Sequence, residues 1–178
     1  TPTINEGSDD YESEFDEFPQ ELTNDLMPTV ESTYNTYSDG TTADAFKASR
    51  SHRAFGGFSM GGMVTLDVMI EDMDYFKYFL PMSGDYESVY EEDLEAANES
   101  ADIIGAAVSS SGHTADDFRI FAASGSDDFM CDRVKDQINA MKYRYPSLFT
   151  SSNTTFYEAA DSQHDFHYSF EYIYNALP

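Results

Sequence analysis

Only nine of the 178 residues are Lys or Arg, against 34 Asp or Glu, which leaves a formal charge of −25. So little positive charge argues against binding nucleic acid or an anionic membrane and suits an uncharged partner. No run of about 18 apolar residues occurs, so no stretch is long enough to span a bilayer as a helix. No secretory leader is visible either, although the chain starts at Thr1 without a methionine and that absence carries little weight. The single cysteine, Cys131, excludes an intrachain disulfide and reads as a small buried apolar residue rather than a nucleophile. Internal repeats and long low-complexity segments are also missing. What is present is enough to build a core: 40% of residues are hydrophobic, with 14 Phe and 13 Tyr, and one domain over residues 1–178 is the natural count.

The chain opens with an acidic polar segment, Thr1 to Asp16, that reads as a solvated loop. Phe18, Leu22, Leu26, Val30 and Tyr34 then recur every four residues and predict one helix of about four turns, with Pro19 tolerated near its start. Asp39-Gly40 marks a turn, and Thr42 to Ser51 predicts a short helix. Beyond it, strand-like and helix-like stretches alternate. Strands are expected over Arg53 to Phe58, Tyr75 to Met82, Asp117 to Ser124 and Thr155 to Ala160. Helices are expected over Met60 to Met73, Glu91 to Ser111 with Leu94, Ala97, Ile104 and Val108 inward, Val134 to Tyr145, and Phe166 to Asn175. Strict alternation is the signature of a parallel sheet covered by helices, an α/β fold. Two sequons, Asn98-Glu99-Ser100 and Asn153-Thr154-Thr155, matter only in a protein secreted by a eukaryote.

Gly57-Phe58-Ser59-Met60-Gly61 stands between the first expected strand and its helix. A G-x-S-x-G pattern at such a junction is a nucleophile elbow: the chain turns sharply, and the serine hydroxyl is presented at the apex. Ser59 is then a candidate nucleophile and the Met60 N–H a candidate oxyanion donor. Ligands of an open parallel sheet gather at the carboxyl ends of its strands. Those ends carry Ser59, Asp85, Asp127 or Asp128, and His164. A serine nucleophile needs a base to take its proton and a carboxylate to hold the imidazole, and the order Ser, Asp, His is that of the α/β-hydrolases. His164 follows the last strand directly; His167 lies a turn further on, and His52 and His113 stand elsewhere. Strand position alone leaves Asp128, Asp127 and Asp85 in competition. Phe58, Tyr86 and Phe129 also lie near strand ends, where they are as suited to a core as to an acyl pocket.

HRAFGGFSMGG, YFLPMSGD, the GSDD turn, the closing SQHDFHYSFEYIYNALP, and the opening TPT with FPQELTNDLMPTVESTY together resemble family-one carbohydrate esterases, especially feruloyl esterases of plant-cell-wall degraders. The resemblance covers nearly the whole chain. It implies an α/β-hydrolase fold, a mostly parallel sheet in a three-layer α/β/α arrangement. It matches Ser59 to the nucleophile, Asp128 to the triad acid and His164 to the base, with S-Q-H-D standing where relatives have a G-G-H-D-like loop. It further implies hydrolysis of feruloyl or acetyl esters on xylan outside the cell, with no metal or cofactor; Phe58, from its place at the end of the elbow strand, is the candidate to lie beside the substrate. Relatives carry further strands before their T-P-T segment, including a loop that supplies a second oxyanion amide. The chain is therefore expected to represent the C-terminal part of such a domain. An acyltransferase, a formylglutathione-type thioesterase, and an inactive or carbohydrate-binding fragment are the other readings of this pattern.

Overall fold

The computed structural model describes residues 17–86 and 94–177. The acidic opening segment and the first residues of the helix expected from Glu91 lie outside them. The chain falls into two compact units, divided between Ser49 and Arg50.

In the first unit, α1 (Phe18–Glu21) runs through a wide turn at Leu22–Leu26 into α2 (Met27–Thr33), and α3 (Ala43–Ala48) follows. The single helix expected here is thus interrupted. Pro28 has no N–H to return to the preceding turn, and the backbone widens ahead of it, with Met27 N–H donating to the Leu22 carbonyl instead. The apolar stripe does not survive either. Leu22 is buried, whereas Leu26, Val30 and Tyr34 are exposed. A spacing of four overshoots a helical turn by about 40° per step, so such a series winds around the helix instead of keeping to one face.

The second unit holds a four-stranded sheet of β1 (Ala54–Phe58), β2 (Tyr78–Met82), β3 (Arg119–Gly125) and β4 (Thr154–Ala159). The strands are all parallel and lie in chain order. The connecting helices are α4 (Met60–Asp72), α5 (Leu94–Ser111) and α6 (Cys131–Arg144). Crossovers that advance one strand at a time with the usual right hand fall on the same face of a sheet. Accordingly α4 packs on α5 and α5 on α6. The opposite face, carrying Met82, Ala123 and Ala159, is covered by α7 (Ser169–Ala176) through the fully buried ring of Tyr172. The result is helix, sheet and helix in three layers, the fold class expected.

Strand bounds shift by one to three residues from those expected, and α6 begins three residues early, at Cys131. Leu94 is a correction: it sits 67% exposed at the start of α5, while Ile104 and Val108 are buried as expected. Cys131 is buried, and burial above all pushes its thiol up to about 11. Asn153 is buried and spends its amide on the Leu148 carbonyl, so its sequon offers no attachment point. Register pairs Phe58 with Met82 and Met82 with Ala123. The strands' carboxyl ends therefore stand side by side, and the residues following them share one rim.

Candidate active site

β1 ends at Phe58 and α4 begins at Met60, which leaves Ser59 as the whole of the connection. Its backbone takes φ 57° and ψ −118°, a region that costs a non-glycine residue about 1–3 kcal/mol and persists only where the surroundings impose it. The imposing contacts are visible. Ser59 N–H donates to the Met82 carbonyl at 2.8 Å, and the Ser59 carbonyl accepts from Gly62 N–H at 2.8 Å. A methyl group on Gly84 would stand 2.2 Å from the Ser59 carbonyl oxygen, and one on Gly57 2.4 Å from that of Gly61. The turn closes because these positions lack side chains. Met60 opens α4 directly after the serine, so its amide stands at the positive end of that helix.

The loops after β3 and β4 are tied to each other. Asp161 turns the chain back with φ 57°, its N–H donating to Ser126 Oγ at 2.9 Å, while Asp127 N–H donates to the Ser162 carbonyl at 3.0 Å. Gly125 makes the approach possible, since a Cβ there would lie 2.0 Å from the Ser162 oxygen. This stitching sets Asp128 against His164. His164 Nδ1 lies 2.9 Å from Asp128 Oδ1, and Nε2 lies 2.9 Å from Ser59 Oγ. The carboxylate selects the tautomer: Nδ1–H donates to Asp128, and Nε2 accepts the Ser59 hydroxyl. Asp128 Oδ1 also accepts from Met130 N–H at 2.8 Å. The Asp128 side chain is wholly buried, whereas that of His164 keeps 21% exposure.

The competing acids go elsewhere. Asp127 is exposed, with Ser126 Oγ 3.4 Å from its carboxylate, and Asp85 faces Arg133 Nε at 3.3 Å. Of the other histidines, His167 is exposed beside Asp165, and His113 pairs with Asp74 at 3.0 Å. His52 lies in a short 3-10 turn before β1. Tyr86 is fastened through its backbone, its N–H to Gln137 and its carbonyl to Ser100. Among the described residues no cluster of three or more His, Cys, Asp or Glu side chains has the geometry to hold a metal ion. No described helix is long and apolar enough to cross a membrane.

Rings surround the imidazole. Phe58 lies 4.9 Å from it and Phe129 4.4 Å, centroid to centroid. The Phe58 ring in turn meets Phe166 at 6.0 Å. Phe166, like Gly84 and Gly125, escaped the sequence reading. Its one sequence signal is its place two residues beyond His164. A serine hydroxyl bonded to an imidazole that a buried carboxylate steadies is equipped to lose its proton as it attacks an electrophilic carbon.

A model of the Esterase family matches residues 2–173. Endo-1,4-β-xylanase Y of Acetivibrio thermocellus is 40% identical over 182 residues, which take in 100% of this chain and 16% of the xylanase. A solved structure of a serine-to-alanine mutant of the feruloyl esterase module from Clostridium thermocellum, complexed with sinapinate, is similar with a TM-score of 0.82 and 39% identity. The match covers 92% of this chain and 58% of that one. An S-formylglutathione hydrolase from Staphylococcus aureus is similar at a TM-score of 0.62 and 17% identity over 93% of this chain and 63% of its own, a likeness of fold alone. In each case the chain corresponds to part of a longer protein.

Proposed function

This chain belongs to the Esterase family, and from that premise we propose that it is a serine carboxylic-ester hydrolase that removes feruloyl or acetyl groups from plant cell-wall xylan. The observation that carries the reading is the continuous line from Ser59 Oγ through the His164 ring to Asp128, with 2.9 Å at each step. The similarity to a xylanase and to a sinapinate-bound feruloyl esterase module supports the substrate class. A polymeric cell-wall substrate places the reaction outside the cell.

In this mechanism His164 Nε2 takes the Ser59 proton as Oγ bonds to the ester carbon. The carbonyl oxygen becomes an oxyanion facing Met60 N–H, a donor worth about 3 kcal/mol in the transition state. When the intermediate collapses, the bond to the alcohol oxygen breaks and His164 returns the proton to that oxygen, leaving the acyl group on Ser59. Water, deprotonated by the same imidazole, then releases the acid and restores the serine hydroxyl. Asp128 holds the ring and balances its positive charge throughout, and Phe58 packs beside the substrate.

Intact-mass analysis of the chain after treatment with a fluorophosphonate probe tests the reading, with Ser59→Ala and His164→Ala as controls. One adduct per chain, lost in both variants, is expected, together with ferulate release from feruloylated arabinoxylan. A folded chain that takes up no probe and releases no ferulate would overturn the proposal.

A further inference from the structure

The His164 imidazole is held at its two nitrogens, by Asp128 on one side and Ser59 on the other. Two such bonds fix the line through the nitrogens, but they resist tilting of the ring about that line only gradually, because a hydrogen bond weakens slowly until it is far from linear. Contact with the ring itself must supply the rest. Phe58 lies against the imidazole with 41° between the planes and Phe129, the nearer of the two at 4.4 Å, with 36°. Both are closer to stacked than to edge-on.

The two phenyl rings have different obligations. Phe58 is half-buried and packs on the core formed by Met82, Ala123, Ala159 and Tyr172, so its place is set by the sheet. Phe129 is 70% exposed, and among the described residues the one ring it meets is the imidazole. Its backbone is nonetheless tied down on both sides. Asp128 Oδ1 accepts from Met130 N–H across residue 129, and Cys131 N–H donates to the Asp128 carbonyl at 3.0 Å. The oxygen that steadies His164 Nδ1 is thus the oxygen that fixes the turn carrying Phe129. A phenyl ring left so open to water adds little to the core, and what its fixed turn provides is a surface for the base to lean on.

That surface matters most during reaction. When His164 takes the Ser59 proton the imidazole becomes a cation, and a phenyl face within about 6 Å of a cation attracts it. The attraction is stronger for the charged ring of the transition state than for the neutral ring of the resting chain, so it speeds the chemical step and leaves ground-state binding alone. Resting on the ester-hydrolase reading, we infer that Phe129 is a positioning residue for the base: its ring keeps the His164 imidazole aligned between Asp128 and Ser59 and steadies the charge that the imidazole gains. Phe129 then acts through His164 and is indifferent to the acyl group.

The test compares Phe129→Leu, which keeps an apolar side chain without a π face, with Phe129→Tyr, which restores the face. Two reactions are followed: hydrolysis of methyl ferulate, and labelling of Ser59 by an alkyl fluorophosphonate that carries no cinnamoyl ring. In Phe129→Leu both kcat for methyl ferulate and the labelling rate should fall about 3- to 10-fold with KM unchanged, and Phe129→Tyr should recover most of the loss. A raised KM for methyl ferulate with labelling unaltered would place Phe129 in the acyl pocket and overturn the inference, as would a Phe129→Tyr chain as slow as Phe129→Leu. A second measurement does not depend on turnover: proton NMR of the Nδ1–H that His164 donates to Asp128. Its exchange with water should quicken several-fold in Phe129→Leu and not in Phe129→Tyr; one exchange rate in all three chains overturns the positioning role. If the wild-type chain neither cleaves the ester nor takes up the probe, the hydrolase reading has failed, and the exchange rates still decide whether Phe129 holds the imidazole.

Discussion

The phenol of Tyr172 lies close enough to Asp128 for the carboxylate to act on it, yet neither the Tyr172 hydroxyl nor Asp128 Oδ2 has a hydrogen-bond partner among the described residues. Burial first, and Asp128 next, push the phenol up to about 12. Ser83 offsets part of this rise, but no hydrogen bond of ordinary geometry joins the two. Tyr172 is held by its ring, which packs against Met82, Ala123 and Ala159. Tyr172→Phe keeps that packing and removes an unsatisfied group, so stability in urea should be equal or up to about 1 kcal/mol higher. Tyr172→Ala should lose about 3–5 kcal/mol through the cavity. A clear destabilisation in Tyr172→Phe would show that the hydroxyl is bonded after all.

Asp72, at the end of α4, is buried with Oδ2 unpartnered. Burial first, and Glu71 second, raise its carboxyl from an ordinary 3.8 to about 7. Between those values the folded chain holds a proton that the unfolded chain has released. Stability from this group is therefore full at low pH, falls as pH rises from about 4 to about 7, and is flat beyond. Asp72→Asn abolishes the slope, and its advantage over wild type should grow by about 1–3 kcal/mol across that window, since partial solvent access screens the rest. Unfolding curves of the two chains between pH 4.5 and 8 decide the matter. Parallel pH profiles would rule this account out.

Arg50 gathers three backbone carbonyls at the amino end of the sheet. Its guanidinium donates to Met73 from Nε at 3.1 Å and Nη2 at 2.9 Å, to Phe76 from Nη2 at 2.9 Å, and to Asp117 from Nη1 at 2.8 Å. Met73 lies just past α4, Phe76 just before β2 and Asp117 just before β3, so one side chain joins three connections. A lysine carries its donors on a single atom and cannot span them. Arg50→Lys should cost about 2–4 kcal/mol in urea unfolding despite the conserved charge. A loss below about 0.5 kcal/mol would mean that water replaces these contacts freely.

Much of this arrangement is legible in the amino acids. Glycine at 57, apolar spacing after 59 and alternating elements name the elbow and the sheet, because local backbone demands are written in local residue types. Burial is not local. Asp85, Asp127 and Asp128 look alike at strand ends, and what separates them is Arg133 beside the first, solvent around the second and His164 against the third. Leu26, Val30 and Leu94 read as core and lie exposed, while Tyr172, in a helix of mixed polarity, is the largest of the fully buried side chains among the described residues. Phe166 and Phe170 show the converse: as letters they are core residues, and only the packing of α7 through Ser169 and Tyr172 turns them outward.

The two glycines of the Gly57-Phe58-Ser59-Met60-Gly61 pattern do different work. Neither has a positive φ, so backbone freedom is not what either supplies. A Cβ on Gly57 would press 2.4 Å against the Gly61 carbonyl oxygen, a backbone atom inside α4 that cannot step aside. A Cβ on Gly61 would meet nothing within 4 Å. Gly57→Ala must therefore open the junction of β1 and α4, and the strained backbone of Ser59 depends on that junction staying closed. Loss of fluorophosphonate labelling is expected, with about 1–3 kcal/mol of stability. Gly61→Ala places a better helix former in α4 and should raise stability by up to about 1 kcal/mol while labelling persists. Should Gly61→Ala fold more stably, accept the small probe and yet fail on feruloylated oligosaccharide, the glycine serves the approach of a bulky ester. Loss of probe labelling in that variant would instead contradict the steric account of the elbow.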